Sequence, residues 1–479
     1  MKKTGLFKII MFILPILVLL SWIFSASYFT DGELVELGMY HLGFFDYFQL
    51  LFASLEFQYF LQILGLFISI GAFYGVLNKT GKYRAWIERI VNNFKGAEIV
   101  FLLIVAFAIA AMTSILDYGF TLLIFFPLLI SIILAMGYDK ITACLATFGA
   151  MIVGTIGSTL GAKTAVAIAE TVGIDANAGF AYKLALFVLG VIILFVSLSK
   201  AKRTKNPKNE ENDMFLGEKN TNKYSIVPII VVFSLLFVIM ILGCTQWSTV
   251  FKQTIFETIH EKVTTVEFKL PQFNITTDGI DVGMEKIAIF GKLLGNVSAF
   301  GNWSYVEMSI MVLIATFVIA LFYRIKLKDT YEFMAEGAKK IARPALLVLF
   351  IYTVIYFTGN SMFYPTIAKH ILGITKEFNL IFTAITTVLG SFLHIDMLYL
   401  TSYVIPQISA QSVDGTIIAI LSQGLYGVTM FIAPTSAALA FGLSYLGISY
   451  KEWVKGTWKQ ALLLLASVLV VTIISMLII

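Results

Sequence analysis

A series of uninterrupted apolar runs constrains this chain more than any other feature, among them Ile9 to Phe24, Ile226 to Leu242, Met308 to Phe322 and Leu462 to Ile479. Each is long enough, or nearly so, to cross about 30 Å of hydrocarbon as an α-helix. With 59% hydrophobic and 13% charged residues, the chain carries far more apolar surface than a water-soluble core can absorb. Lipid is the expected solvent, and an all-α polytopic membrane protein is the expected fold class. The N-terminal run follows Lys2 and Lys3, as a signal peptide would, yet it is long, has no convincing cleavage site and reads as the first span.

The basic residues predict an orientation, because cytoplasmic loops retain an excess of Lys and Arg. Clusters fall at Lys2/Lys3, at Lys79 to Lys95, at Lys200 to Lys208, at Arg324 to Arg343, and at Lys451, Lys455 and Lys459. The loops 28–45, 172–180 and 407–415 hold neither Lys nor Arg and are assigned to the outside. This places the N-terminus in the cytoplasm and the C-terminus outside, in a bacterial inner membrane. Segment 200–224 is rich in Lys, Asn and Glu and is expected to be a solvated cytoplasmic linker between repeat one, 1–199, and repeat two, 225–479. The stretch 246–303 is too polar to span and is assigned as an external insertion of unknown fold.

An internal repeat emerges when the chain is slid past itself by 278 or 279 positions. Thr80-Gly81 then meets Thr358-Gly359, Asp117 meets Asp396, and Pro127 meets Pro406. Farther on, the Gly/Ser/Thr-rich interruption Gly154 to Thr164 corresponds to Gly427 to Ser436, and each is followed by a Gly-Ile pair. Counting crossings inserts the two halves upside down relative to each other, which is a transporter pattern. Segments 98–136 and 378–408 fit either two spans or one re-entrant hairpin. The hairpin is preferred, with polar tips around Asp117 and around His394 to Asp396 near the bilayer midplane.

Interrupted helices expose unpaired N–H groups at one half-helix and unpaired C=O groups at the other. The N–H ends attract carboxylates and the C=O ends coordinate cations. The candidate substrate-binding residues are therefore Asp117, Ser158, Thr159, Lys163, Thr164, Asp396, Thr435 and Ser436, and the candidates for proton or cation coupling are Asp117, His394 and Asp396. An ionisable group at membrane depth costs about 2.5 to 3.5 kcal/mol on insertion scales and needs a reason to be there. The bland alternatives are that the small residues pack helices, that Lys163 reaches an interface, and that both Asp residues sit in short loops between full spans.

Cys144 and Cys244 lie in or beside separate apolar segments without metal-ligand spacing, so both read as packing residues. No P-loop, zincin, nucleophile elbow or haem motif is present, which argues against a primary pump or a membrane enzyme. No metal and no organic cofactor is expected, and the coupling ion is expected to be Na+ or H+.

Four stretches resemble the YfcC/DcuC-type carriers of the C4-dicarboxylate anaerobic carrier family, within an ion transporter superfamily of elevator-like secondary transporters. They are GAFYGVLNKTG from Gly71 to Gly81, FKGAE from Phe94 to Glu98, Pro127 to Asp139 ending in MGYD, and APTSAALAFGLSYLGISYKEW from Ala433 to Trp453. The resemblance implies two inverted repeats, each with a re-entrant hairpin and a broken transmembrane helix, with substrate held between tips and breaks. It also implies C4-dicarboxylate or basic amino acid transport by cation coupling or exchange. Ala162-Lys163-Thr164 stands where that branch usually has Asn-Pro-Phe, and Asp117-Tyr118 where it usually has an acidic pair.

The expected function is secondary active transport, as symporter or antiporter, of a small carboxylated solute. An amino acid is slightly preferred because two acidic tips oppose a dianion, with a C4-dicarboxylate carrier as the alternative. A channel, or a receptor or enzyme using the external insertion, is the reading from another class. The expected partners are the small-molecule carboxylated substrate, the lipid bilayer and, as one option, a second copy in a homodimer; no nucleic acid is expected.

Overall fold

Backbone polar groups in hydrocarbon must pair within their own segment, so the apolar runs have to become helices. The computed structural model describes residues 5–30, 33–43, 45–56, 58–203, 217, 224–276, 279–375, 377–393, 397–411 and 413–479. Among the described residues, nine helical segments are long and apolar enough to span: Gly5–Ile23, Gln58–Lys79, Glu98–Leu116, Phe180–Ser199, Val227–Cys244, Tyr305–Phe322, Leu327–Ser361, Gly415–Leu446 and Tyr450–Ile478. Their burial follows the helical period. In Glu98–Leu116, for example, Val100, Ile104 and Phe107 are exposed on one face while Leu102, Ala106, Ile109 and Ala110 are buried on the other.

The all-α expectation holds for these spans and not for the connections. Ala26–Thr30 pairs antiparallel with Glu33–Gly38, and Phe268–Thr276 pairs antiparallel with Gly279–Ile287. The second pair, with helices Trp247–Phe251, Ile255–Thr265 and Ile289–Leu294, makes up most of the segment assigned as an external insertion. Water outside the bilayer can serve edge strands, so two-stranded ribbons survive there.

The first region read as a hairpin has unequal arms. Glu98–Leu116 runs unbroken for 19 residues, about 28 Å. Asp117 then adopts a left-handed conformation with φ 50°, and the return is a 3₁₀ segment, Gly119–Ile124, followed by Phe126–Ala135 with Pro127 in its first turn. Thr113 and Ser114 therefore belong to the end of the arm. The second region comprises Leu380–Leu393 and, after residues 394–396, short helical pieces from Met397 to Ser409. His394 and Asp396 lie outside the described residues.

Both expected interruptions are present. Lys140–Cys144, a π-helical turn Leu145–Gly149 and Ala150–Ile156 form one continuous half, and Ala162–Val166 with Ala167–Val172 forms the next. In the second, Gly415–Ile432 stops before Ala437–Leu446. Most of the segment read as a linker lies outside the described residues. Its first part is anchored: Arg203 pairs with Glu98 at 2.9 Å and donates from Nε to the Met136 carbonyl at 3.0 Å. One guanidinium thus joins both ends of the first hairpin region.

Gln58–Lys79 and Leu327–Ser361 cross at glycines. A Cβ at Gly75 would strike the Phe333 carbonyl oxygen and the Gly337 backbone, and one at Gly337 would strike the Gly71 carbonyl oxygen. The GxxxG spacing of Gly71 and Gly75 is what permits this approach. Gly75→Val is expected to lower the melting temperature of detergent-solubilised protein by several degrees. Gly359→Ala, where an added Cβ meets nothing within 4 Å, is expected to leave it unchanged.

Candidate functional site

Where a helix is interrupted inside a membrane, each freed backbone group needs another partner, and at the first break those partners can be named. The Thr159 and Leu160 N–H groups donate to the Ser114 carbonyl at 2.9 and 3.3 Å. Ser114 lies in the last turn of Glu98–Leu116, where carbonyls have no helical donor. Its hydroxyl donates to the Gly157 carbonyl at 2.6 Å. From the second broken helix, Gln423 donates through Nε2 to the Ile156 carbonyl at 3.2 Å and the Ser158 carbonyl at 2.8 Å. One turn further, a Cβ at Gly427 would strike the Ile156 side chain and backbone. The tip of the first arm and the second broken helix thus close the first break from two sides.

Asp117, immediately beyond that arm, is buried. Thr164 donates from Oγ1 to Asp117 Oδ2 at 2.9 Å. The half-helix beginning at Ala162 has Gly161 at its N-cap, which offers no side-chain acceptor. Asp117 supplies one from another segment, and the helix dipole favours its negative charge there.

Lys163 is exposed, whereas Ser158, Thr159, Thr164, Asp117 and Tyr305 around it are buried. Its Nζ stands 5.1 Å from the centroid of the Tyr305 ring, a cation–π distance. Tyr305 opens the helix Tyr305–Phe322, whose start is held by a capping box between Ser304 and Glu307. Among the described residues no ion pair joins Lys163 to Asp117. Lys163 and Asp117 thus stand beside the same break without touching as an ion pair.

The second break repeats part of this pattern. Thr435 donates from Oγ1 to the Phe392 carbonyl at 2.6 Å, as Thr159 does to the Ser114 carbonyl at 3.3 Å. Phe392 lies 278 positions after Ser114 (392 − 114), and Thr435 lies 276 after Thr159 (435 − 159). Ser436 caps Ala437–Leu446 by accepting from the Leu439 N–H at 3.4 Å. The Phe431 and Ile432 carbonyls accept from Trp453 Nε1 at 3.0 Å and the Tyr450 hydroxyl at 2.6 Å. Gln423 precedes the end of its helix at Ile432 by nine residues, about 14 Å along the axis. Thr435 and Ser436 therefore form a cluster apart from Asp117, Ser158, Thr159, Lys163 and Thr164, and Gln423 bridges the broken helices between them.

Sequence reasoning missed Ser114, Gln423 and Tyr305 as members of the site. Gln423 carried a signal, as a fully buried amide in an apolar helix. Ser114 and Tyr305 carried none, since their roles arise from what they face. Lys183 was also missed: it is fully buried and donates from Nζ to the Ala176 carbonyl at 3.1 Å. Glu170, in the half-helix after the first break, is exposed. Cys144 and Cys244 are both free, the first buried and the second half-buried.

A chain of interrupted helices with polar and charged groups gathered at a break is the arrangement of a polytopic membrane carrier. The family model of the C4-dicarboxylate anaerobic carrier, DcuC, matches residues 5–477, and the chain belongs to that family of transporters. An uncharacterized protein of Haemophilus influenzae is 24% identical over 430 residues, 85% of this chain and 74% of that protein. The putative basic amino acid antiporter YfcC of Escherichia coli is 23% identical over 167 residues, 33% of each chain. The crystal structure of the Alcanivorax borkumensis YdaH transporter aligns over 98% of this chain and 96% of its own, with 13% identity and a TM-score of 0.43.

Removing the Ser114 hydroxyl leaves the Gly157 carbonyl without its donor in a buried setting, at a cost of about 1–3 kcal/mol. Ser114→Ala is expected to lower thermal stability in detergent accordingly. Ser114→Thr, which keeps a hydroxyl, is expected to retain most of it.

Proposed function

We propose that this family member is a secondary carrier of a small carboxylated solute, with an amino acid preferred over a C4-dicarboxylate. The observation that carries this reading is the coexistence of Asp117 and Lys163 beside one break without a direct ion pair. A zwitterion complements such a pocket, its ammonium answering Asp117 and its carboxylate answering Lys163. A dianion meets one favourable and one repulsive charge. The family name favours the dicarboxylate, and Lys163 can pair with one of its carboxylates, so that substrate is the competing reading.

In this reading Ser158, Thr159 and Thr164 shape the pocket from the first break, while Thr435 and Ser436 belong to the related break of an inverted second repeat. Two features support the repeat: the paired interruptions, and the matching hydroxyl-to-carbonyl contacts at Ser114 and Phe392. Re-entrant hairpins then carry the tips, and the hairpins with the broken helices move as an elevator body. The basic clusters support a cytoplasmic N-terminus, an external C-terminus and residence in a bacterial inner membrane. Residues 200–224 are then the cytoplasmic linker between repeats and 246–303 an external insertion. Asp396 and His394 remain proposed contributors from the second tip.

Counterflow in proteoliposomes, against a panel of labelled amino acids and C4-dicarboxylates, tests the function directly. Saturable exchange of an amino acid is expected, together with at least a tenfold loss in Asp117→Asn and in Lys163→Ala at normal membrane insertion. Undiminished exchange by both variants would remove these residues from the site, and ohmic single-channel currents would replace a carrier with a channel.

A further inference from the structure

Residues 245–304 join the span Val227–Cys244 to the span Tyr305–Phe322, and so begin and end at one face of the bilayer. Both ends of this connection are tied to that boundary. Trp247 Nε1 donates to the Leu242 carbonyl in the last turn of the first span at 2.9 Å, and the Gly301 and Trp303 N–H groups donate to the Gly243 carbonyl at 2.9 and 3.0 Å. The Trp303 ring fills the space that a Cβ at Gly243 would need. Between ring centroids, Phe300 stands 4.9 Å from Trp303, and Phe256 stands 6.0 Å from Phe300 and 5.4 Å from Trp247. Tryptophans gathered where spans end mark the headgroup level of a membrane.

Phe256 belongs to the helix Ile255–Thr265. The ring cluster, with a bond from Asn302 Nδ2 to Glu257 Oε1 at 3.4 Å, therefore fixes this helix beside the ends of the two spans. Next to Phe256, Ile255, Ile259 and Val263 recur at i, i+4 and i+8 along one side, and they are exposed by 57, 50 and 39%. Glu257, His260, Glu261 and Thr264 take the other side. Lys262 flanks the stripe, where its stem can follow apolar surface while its ammonium reaches a headgroup phosphate. With Glu257 and Glu261 against Lys262, the helix has no surplus of positive charge, so burial of the aliphatic stripe is the force available to it.

We propose that Ile255–Thr265 is an interfacial anchor whose partner is the lipid bilayer: it lies along the headgroup boundary of the leaflet where Val227–Cys244 ends and Tyr305–Phe322 begins, with Ile255, Ile259 and Val263 turned into the acyl chains. Helices of this kind sink their apolar face about 5–10 Å into that boundary. Thr245, whose Oγ1 lies 2.6 Å from the Tyr118 hydroxyl, and Tyr305, whose ring faces Lys163, sit in the same junction. The anchor thus sets the depth at which the first tip meets these two spans, whichever solute is carried.

The test uses the full chain in phosphatidylcholine nanodiscs. Nitroxide labels are placed at Ile259→Cys, at Glu261→Cys and, as a reference on the exposed face of a span, at Phe317→Cys, each with Cys144→Ala and Cys244→Ala and each monodisperse on gel filtration. Collision with oxygen, which concentrates in lipid, is expected to dominate over collision with a water-soluble nickel chelate at 259 as it does at 317, with the oxygen-to-chelate ratio at least threefold higher at 259 than at 261. A smaller difference, or dominance of the chelate at 259, places the helix in water and overturns the proposal. Low access of both reagents at 259 seats a second copy of the chain on the stripe and overturns it equally. The unsubstituted protein gives an independent reading with a phosphatidylcholine that carries a photoreactive diazirine on its acyl chain. Adducts are expected in the peptide containing Ile255–Thr265, and their confinement to the spans overturns the proposal.

Discussion

Hydrocarbon offers no hydrogen-bond partner, so a helix can be interrupted within it only where other parts of the same protein take over its backbone groups. The rest of this structure depends on that requirement at residues 157–161. The Ser114 carbonyl receives two N–H groups of the break, the Ser114 hydroxyl answers the Gly157 carbonyl, and Gln423 answers Ile156 and Ser158. Both partners, Ser114 and Gln423, come from segments other than the broken helix itself. The first arm, the first broken helix and the second broken helix are consequently bound into one unit, and the close contact of Gly427 with Ile156 is the packing consequence.

Among the described residues, charge is distributed unevenly over the two breaks. The first break carries Asp117 as a cap from outside the helix and Lys163 beside it, whereas the described residues at the second break use neutral groups, Ser436, Thr435, Tyr450 and Trp453. A related backbone arrangement thus serves two different chemical settings. The charged half lies beside the start of Tyr305–Phe322, through Lys163 and Tyr305, and beside the end of Val227–Cys244, where the Tyr118 hydroxyl lies 2.6 Å from Thr245 Oγ1. These contacts join the first tip to helices outside the bound unit.

Much of this was legible in the residues. The runs ending at Phe24, Leu242 and Phe322 become helices because nothing else satisfies a backbone in lipid, and both interruptions fall within the Gly/Ser/Thr-rich stretches identified for them. Asp117, Thr164 and Thr159 were recognisable as polar residues at membrane depth. The arm lengths were not: a left-handed Asp117 ends the first helix three residues beyond Ser114, and that conformation depends on the neighbours that hold its carboxylate. The β-hairpins outside the spans were missed because exposed two-stranded ribbons leave little periodic trace.

The sequence by itself determined the solvent, the placing of the long apolar runs, and the two stretches where helices break, since each follows from local composition and backbone chemistry. Only the tertiary structure decided which groups close those breaks. Ser114, Gln423 and Tyr305 acquire their roles from segments far away in the chain, and a hydrogen bond across 43 or 267 residues, such as Ser114 to Gly157 or Gln423 to Ile156, is specified by packing that no local pattern encodes.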